Sequence, residues 1–360
     1  LDGDGRDEFV LGGTSAEPAR TLRANEAGRF SAVPFGTAGV PPDGPVLVFD
    51  ADADGHLDVL ATKAGTAKPN GSAEYQPRLW LNDGTGALHT APGDAVPPLP
   101  LSVGALAAAD FDHNGRLDVF VGVRLQPGRY PLSPRSALLA NRGGRFEDVT
   151  DAVAPALRNV GLVTSALWSD VDGDGWSDLL VTTEWGQVHY FHNNAGTGFE
   201  ERGESAGFAA AGTGWWTALA SADFNGDGRP DYAVGNAGLN TPYAASPAEP
   251  ALLYYGDFGG SGAPALVEAE WDQGKLYPRR TRKSLGEAIP PVLKRFPKND
   301  VFAKATLGEV LGEARLSAAR RFAATELRSG VFLSQPDGTY RFTPLPRIAQ
   351  LSITQGLAAG

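Results

Sequence analysis

The chain of 360 residues carries 42 acidic against 31 basic side chains, for a formal net charge of −11, and contains neither cysteine nor methionine. Without cysteine, disulfide staples and thiolate metal sites are excluded. The acidic balance argues against a nucleic-acid partner, and there is no run of about eighteen apolar residues to span a membrane.

In chain order, the first readable element is an acidic loop, Asp2, Asp4, Gly5 and Glu8, whose first position would precede Leu1; it runs into an apolar strand over 8–11. The pattern returns as Asp50, Asp52, Asp54, Gly55 and Asp58, followed by strands over 58–61 and 78–82. The next copy enters through strand 104–109, turns at Asp110, Asp112, Asn114, Gly115 and Asp118, and continues in strands over 118–121, 137–141 and 144–149. Strand 165–168 then leads to Asp170, Asp172, Asp174, Gly175 and Asp178, with strands over 178–181 and 188–192 behind it. Asp223, Asn225, Asp227, Gly228 and Asp231 lead into strand 231–234, and a sixth loop over 257–262 has lost its later acids. Beyond it the strand rhythm stops. Residues 273–328 read as a helical insertion, with Ser284 and Glu287 at capping-box spacing and a helix-forming composition over 307–327. Its first half is basic and includes Lys275, Arg279, Arg280 and Arg282. The last segment, 352–359, has the character of a strand that enters a loop.

The loop spacing has a chemical reading. Side chains one, three and five of a tight turn converge on one point, glycine at six allows the turn, and residue seven offers a backbone carbonyl. That position is held by His56, Arg116, Trp176 and Arg229. Residue nine, at the start of the next strand, supplies a carboxylate able to bind through both oxygens: Glu8, Asp58, Asp118, Asp178 or Asp231. Carboxylates held this closely repel one another until a cation or proton intervenes. A donor set of oxygen alone selects a hard ion, and a flexible ligand count favours calcium, four to five ions in all. Five such ions would bring the charge of −11 close to zero, so the acidity reads as ligand supply.

The loops recur about every fifty to sixty residues with four strands per interval, the period of a β-propeller blade. The expected fold is all-β: a single propeller domain over 1–360 of six, alternatively seven, four-stranded blades. Strand 352–359 would complete the first blade, and 273–328 would be a basic insertion in the last. An opening inside a motif suggests a piece of a longer polypeptide, with any signal peptide upstream.

The segments 109–112, 169–172, 222–228 and 235–240 resemble the FG-GAP/VCBS repeats of integrin α-like propellers. With the insertion after 254–258, the chain is similar to the bacterial CRTAC-like, ASPIC/UnbV-associated secreted repeat proteins. The resemblance implies a calcium-stabilised extracellular, cell-surface or periplasmic module for adhesion or ligand binding, with no catalytic residues to carry over. Two departures stand out: the sixth loop lacks its acids and the first is incomplete.

The expected function is therefore binding of a protein or glycan, by a monomer or part of a larger chain, and not catalysis. No H-E-x-x-H, nucleophile elbow or phosphate loop is present. The alternative is a carbohydrate-active enzyme, a lyase or hydrolase, on the same scaffold. Candidate ligand-binding residues are Trp185, Trp215, Asn236 and Asn240, near inter-strand loops where exposed rings stack on sugars, and Arg279, Arg280 and Arg282. Trp80, Trp168 and either Trp176 or Trp216 read as packing between sheets, and His189 and His192 as core, channel or ligand residues.

Overall fold

The computed structural model describes residues 1–359. Most of its regular secondary structure is strand. Sheet one comprises β1 (Phe9–Leu11), β2 (Ala19–Ala24) and β3 (Phe30–Phe35). Sheet two is the antiparallel meander β4 (Asp43–Phe49), β5 (Asp58–Lys63), β6 (Arg78–Asn82) and β7 (Leu88–Thr90). Sheet three repeats it with β8 (Ser102–Ala109), β9 (Asp118–Leu125), β10 (Ala137–Asn141) and β11 (Phe146–Asp148), and a single parallel pairing of Lys63 with Ser102 joins β5 to β8, so that the two meanders are continuous as one eight-stranded sheet. Sheet four does so with β12 (Leu162–Ser169), β13 (Asp178–Gly186), β14 (Val188–Asn193) and β15 (Phe199–Glu201), and the short β16 (Gly214–Trp215) joins β13. The expected order of four strands per loop therefore holds in these three sheets.

Sheet five departs from the expectation. It opens with β17 (Ala218–Ala222) and β18 (Asp231–Gly235), then breaks off. An inserted segment carries its own sheet, β19 (Ala251–Gly256), β20 (Ala265–Asp272), β21 (Lys275–Pro278) and β22 (Arg320–Ala324), in the order β21-β20-β19-β22. Only then do β23 (Gly330–Ser334) and β24 (Tyr340–Pro344) complete sheet five. The 257–262 loop thus turns a hairpin inside the insertion and does not follow a finished fifth sheet. The insertion's five short helices lie between Arg282 and Ala318. Its capping box is formed by Thr306 and Glu309, whereas Thr281 caps the first helix by accepting the Ser284 N–H. Gly312, at φ 87°, breaks the expected 307–327 helix, and the β-pairing of Arg320–Ala324 with β19 ends it. The helices and inserted sheet bury their own core of Leu252, Val267, Leu285, Val292, Leu307 and Val310.

The second strand of each repeat is the reason the sheets stack. β5, β9, β13 and β18 are buried on both faces, and consecutive residues along them face different cores, as the two-residue period of a strand requires. Val59 packs with Ala19 and Phe35 of sheet one, whereas Leu60 packs with Val103, Val119 and Leu139 of sheet three. Phe120 and Leu179 meet between sheets three and four, and Leu180, Tyr232 and Phe332 between sheets four and five. Sheets one to five therefore pack through shared cores in chain order; the acidic loops of sheets two to five join the first and second strands of each, and the first loop leads into β1. The C-terminal residues 352–359 form no strand with sheet one, contrary to expectation. Thr354 instead donates its N–H to the Asn236 carbonyl (3.1 Å) and shares hydrogen bonds with Thr217 and Ser329, which holds the segment against sheet five. No helix among the described residues is long and apolar enough to cross a membrane.

Candidate metal centres

Each loop is folded by its own side chains. Asp50 accepts backbone N–H groups from Ala53 (2.8 Å), Asp54 (3.2 Å) and Gly55 (3.0 Å), Asp52 accepts from Asp54 (3.3 Å), and Asp54 accepts from His56 (2.8 Å). All five bonds recur around Asp170, Asp172 and Asp174 and around Asp223, Asn225 and Asp227, and all but the one from the fourth residue recur around Asp110, Asp112 and Asn114. Gly55 (φ 89°), Gly115 (83°), Gly175 (90°) and Gly228 (81°) all take the left-handed conformation at position six that a side chain would resist. Asp257 keeps three of these bonds, to Gly260, Ser261 and Gly262, although the later acids are missing. The amide net alone is thus sufficient to set the turn.

The ninth residue is the structural anchor. Asp58, Asp118, Asp178 and Asp231 are fully buried, and each spans two elements. One oxygen accepts the N–H of the loop's second residue, Ala51 (2.8 Å), Phe111 (3.1 Å), Val171 (2.9 Å) or Phe224 (2.9 Å). The other accepts the N–H at the end of the third strand, from Asn82 (2.8 Å), Asn141 (2.7 Å), Asn193 (2.7 Å) or Ser334 (2.7 Å). Burial outweighs these bonds: it pushes the carboxyls of Asp118 and Asp178 up to about 6, the nearby carboxylates of Asp112 and Asp172 adding to the effect. Asp58 is raised by burial, and Asp52 by burial and the charge of Asp54.

Three loops gather three acids with oxygens within 4.8 Å of one another: Asp50, Asp52 and Asp58; Asp110, Asp112 and Asp118; and Asp170, Asp172 and Asp174. Their all-oxygen donor sets fit a hard divalent cation, with Asn114 adding an amide oxygen. The fourth loop also brings His192 Nδ1 to 3.1 Å from Asp172 and 3.4 Å from Asp178. In the fifth loop Arg229 (2.8 Å) and Ser334 Oγ (2.7 Å) hold Asp227, and these bonds keep its carboxyl low. In the first loop Asp4 pairs with Arg6 (2.8 Å), while Arg23 faces Glu8 (3.5 Å) and Asp2 (3.9 Å). These two loops already contain cations beside their acids. His56 and Arg116 have exposed side chains, whereas Trp176 stacks on His113 of the preceding loop at 3.9 Å between ring centres.

A link between neighbouring sheets went unread in the sequence. Asn82, Asn141 and Asn193 each donate Nδ2–H to the second residue of the preceding loop, at Leu1 (2.8 Å), Ala51 (2.8 Å) and Phe111 (2.9 Å). Tyr340 takes over this role in sheet five, its hydroxyl donating to the Val171 carbonyl at 3.0 Å. The turns that follow the asparagines sit on the third residue of the preceding loop. A Cβ built on Gly86, Gly144 or Gly196 would stand 3.1 Å from Asp2, Asp52 or Asp112. The visible signal was an asparagine closing the third strand with glycine two to four residues later.

The ligand-binding candidates divide. Trp185, Trp215 and Tyr243 pack edge to face at 5.0 and 4.8 Å between ring centres, with the Arg279 guanidinium 4.1 Å above Tyr243. Asn236 is fully buried and structural: its side chain bonds Trp215 N–H and the Glu326 carbonyl. Asn240 is exposed and only its backbone is bonded, to Gln350. Arg279 pairs with Glu270 (2.7 Å), Arg280 lies 4.0 Å from Glu268, and Arg282 bonds Asn299 (2.7 Å) and the Phe296 carbonyl (3.2 Å). Trp216 is the fully buried tryptophan between sheets four and five.

Comparison with known families bears on the same region. Residues 170–234 match the FG-GAP-like repeat. The matched span runs from Asp170 of the fourth loop almost to the end of β18, and it supports an FG-GAP-like repeat protein. No match is found among curated proteins.

Proposed function

We propose that the chain is a calcium-stabilised propeller module that binds a protein or glycan outside the cytoplasm, in the manner of integrin α-like and CRTAC-like secreted repeat proteins. The observation that carries this reading is the convergence of buried and loop carboxylates in successive turns held by recurring backbone hydrogen bonds. The packing of five sheets through shared cores in chain order supports their being consecutive blades, with the inserted sheet or further sequence closing the ring at six or seven. The FG-GAP-like match supports a binding role, since such repeats display loops on a rigid scaffold. Loops of this kind bind calcium weakly enough to fill mainly where the ion is abundant, which favours an extracellular, cell-surface or periplasmic setting.

The ion here holds strands together and does no chemistry. It neutralises the first, third and ninth carboxylates of a loop, so the brace from loop to third strand carries no uncompensated buried charge. Isothermal titration with calcium is the direct test. Binding of at least the three clustered loops supports the proposal, and absence of binding at millimolar calcium overturns it.

A further inference from the structure

The inserted segment carries a charge opposite to that of the chain around it. Between residues 273 and 306 nine basic side chains stand against two acidic ones, Glu287 and Asp300, so the rest of the chain is more acidic than the net −11 of the whole. Arg279 and Arg280 face Glu270 and Glu268, but the other seven cations make no ion pair among the described residues. Six of those seven, Lys283, Lys294 and Lys298 among them, are exposed. They come from elements that pack on one another: the helix Pro291–Arg295 touches both Arg282–Ala288 and Leu307–Leu311, and the last of these touches β21. The Glu309 carboxyl is held low by its bonds to Thr306 and by the charges of Lys275 and Arg295, so a cation of β21 and one of the Pro291–Arg295 helix act on the same point. Like charges gathered in this way repel one another unless an anion joins them.

Arg282 is the most informative of the seven. It is half-buried, and its guanidinium donates from Nε to Asn299 Oδ1 (2.7 Å) and from Nη1 to the Phe296 carbonyl (3.2 Å). Both acceptors are neutral. A partly desolvated charge without a counter-ion is costly, and the N–H groups left over call for oxygens that carry one. The same two bonds hold the side chain in place, so an anion meets an ordered arginine whose planar fork suits a carboxylate. They also set the guanidinium beside the 295–299 stretch, which carries Arg295 and Lys298. Helices pack about 8–10 Å apart, so cations on neighbouring helices are met together by several linked anionic units and not by one. The apolar sides of these helices are taken up by their own core of Leu285, Val292 and Leu307, which leaves Leu293 and Val301 as the large apolar side chains exposed in the insertion. A lipid surface needs a broad apolar face, and these helices do not present one.

We propose that the insertion binds an acidic polysaccharide through its uronate carboxylates, with Arg282 as the ordered contact and Lys283, Lys294, Arg295 and Lys298 around it. The assignment rests on reading the chain as a glycan-binding module outside the cytoplasm, and it names the class of glycan and the surface that takes it. The test uses the full chain in millimolar calcium, with hexagalacturonate as the probe and maltohexaose as the neutral control. Isothermal titration should show binding of the uronate and none of maltohexaose, and the affinity should fall about tenfold as sodium chloride rises from about 50 to about 300 mM. Reversing three exposed lysines together, Lys283→Glu, Lys294→Glu and Lys298→Glu, should weaken binding by about tenfold or more, and Arg282→Gln by about tenfold. Arg347→Glu, at an exposed position outside the insertion that makes no ion pair among the described residues, should leave the affinity unchanged. Calcium stoichiometry and the melting temperature, measured on every variant, separate loss of the surface from loss of the fold. A folded, calcium-loaded chain that binds no uronate overturns this assignment and leaves the calcium reading standing, whereas uronate binding by a chain that takes up no calcium overturns the calcium reading alone. Equal affinity for maltohexaose, binding indifferent to the insertion variants, or tighter binding of duplex DNA or phosphatidylserine vesicles at equal charge overturns the assignment as well.

Discussion

The ninth-position aspartates show how far one residue type can serve two roles. Asp118 and Asp178 are buried to brace a loop against a third strand, and burial raises their carboxyls to about 6. In the metal-free protein the folded state therefore holds more protons than the unfolded one between about pH 4 and 6, so stability falls as pH rises through that window. The carboxyls held low by bonds, Glu74 and Asp83 at about 2, act below it. With EDTA, the melting temperature should decline from pH 4 to 7. With calcium the decline should vanish, because the ion replaces the protons and its affinity rises over the same interval. A flat profile in EDTA would contradict the burial argument. Asn141 gives a second residue-scale prediction. Its side chain donates to Ala51 and Leu117 and accepts from Gly143 and Gly144. Asn141→Ala leaves these groups unpaired and should lower stability by about 3 kcal/mol in urea titration, with calcium stoichiometry unchanged. The aspartates were legible because their spacing encodes convergence. The asparagines were not, since their partners lie 81 to 90 positions away in the preceding loop.

At the scale of elements, the loops were readable and the insertion only partly so. Alternating acids followed by an apolar run describe a local turn and exit strand, and local patterns survive folding. The split of sheet five is a matter of pairing: β18 takes β23 as its neighbour across 94 intervening residues, and no local signal marks that choice. Likewise Arg320–Ala324 has the composition of a helix but becomes strand because β19 offers it a ladder. Neighbouring loops are also coupled as elements. Gly196, at φ 74°, turns above Asp112 and Trp176, with a built Cβ 3.1 and 3.0 Å from them. Gly196→Ala should cost about 1–2 kcal/mol for the left-handed backbone. It should also weaken calcium binding by the 110–118 loop several-fold, although the residue lies in another sheet. Titration calorimetry on the variant checks this, and an unaltered affinity would mean that the loops act independently. In the insertion, Leu285→Ala removes a fully buried side chain from the core between helices and inserted sheet. A loss of about 3 kcal/mol is expected there, read as faster proteolysis within the insertion while the calcium isotherm stays the same.

For the whole molecule, the distribution of acids decides how it holds together. The net charge of −11 would oppose compaction anywhere, but here the acids are concentrated in loops that stack one beside the next, linked by the asparagine and tyrosine bonds between sheets. Repulsion within each loop therefore adds along the stack, and so does its relief. Each site saturated at about a hundredfold over its dissociation constant contributes about 2.7 kcal/mol, because the unfolded chain offers no such cage. Three clustered loops acting together exceed the few kcal/mol by which single changes normally alter a domain, so chelation should lower the melting temperature by about 10 °C or more. Sodium chloride should restore part of that loss, since screening weakens repulsion among exposed carboxylates without bridging them. Magnesium should restore less than calcium, because it demands near-octahedral geometry and dehydrates reluctantly. Scanning calorimetry in EDTA, then with each salt added back, orders these effects. Full recovery with sodium chloride alone would reduce the loops to a general charge cluster, whereas recovery that is complete only with calcium identifies the braced carboxylate sites as the element that keeps adjoining sheets in register.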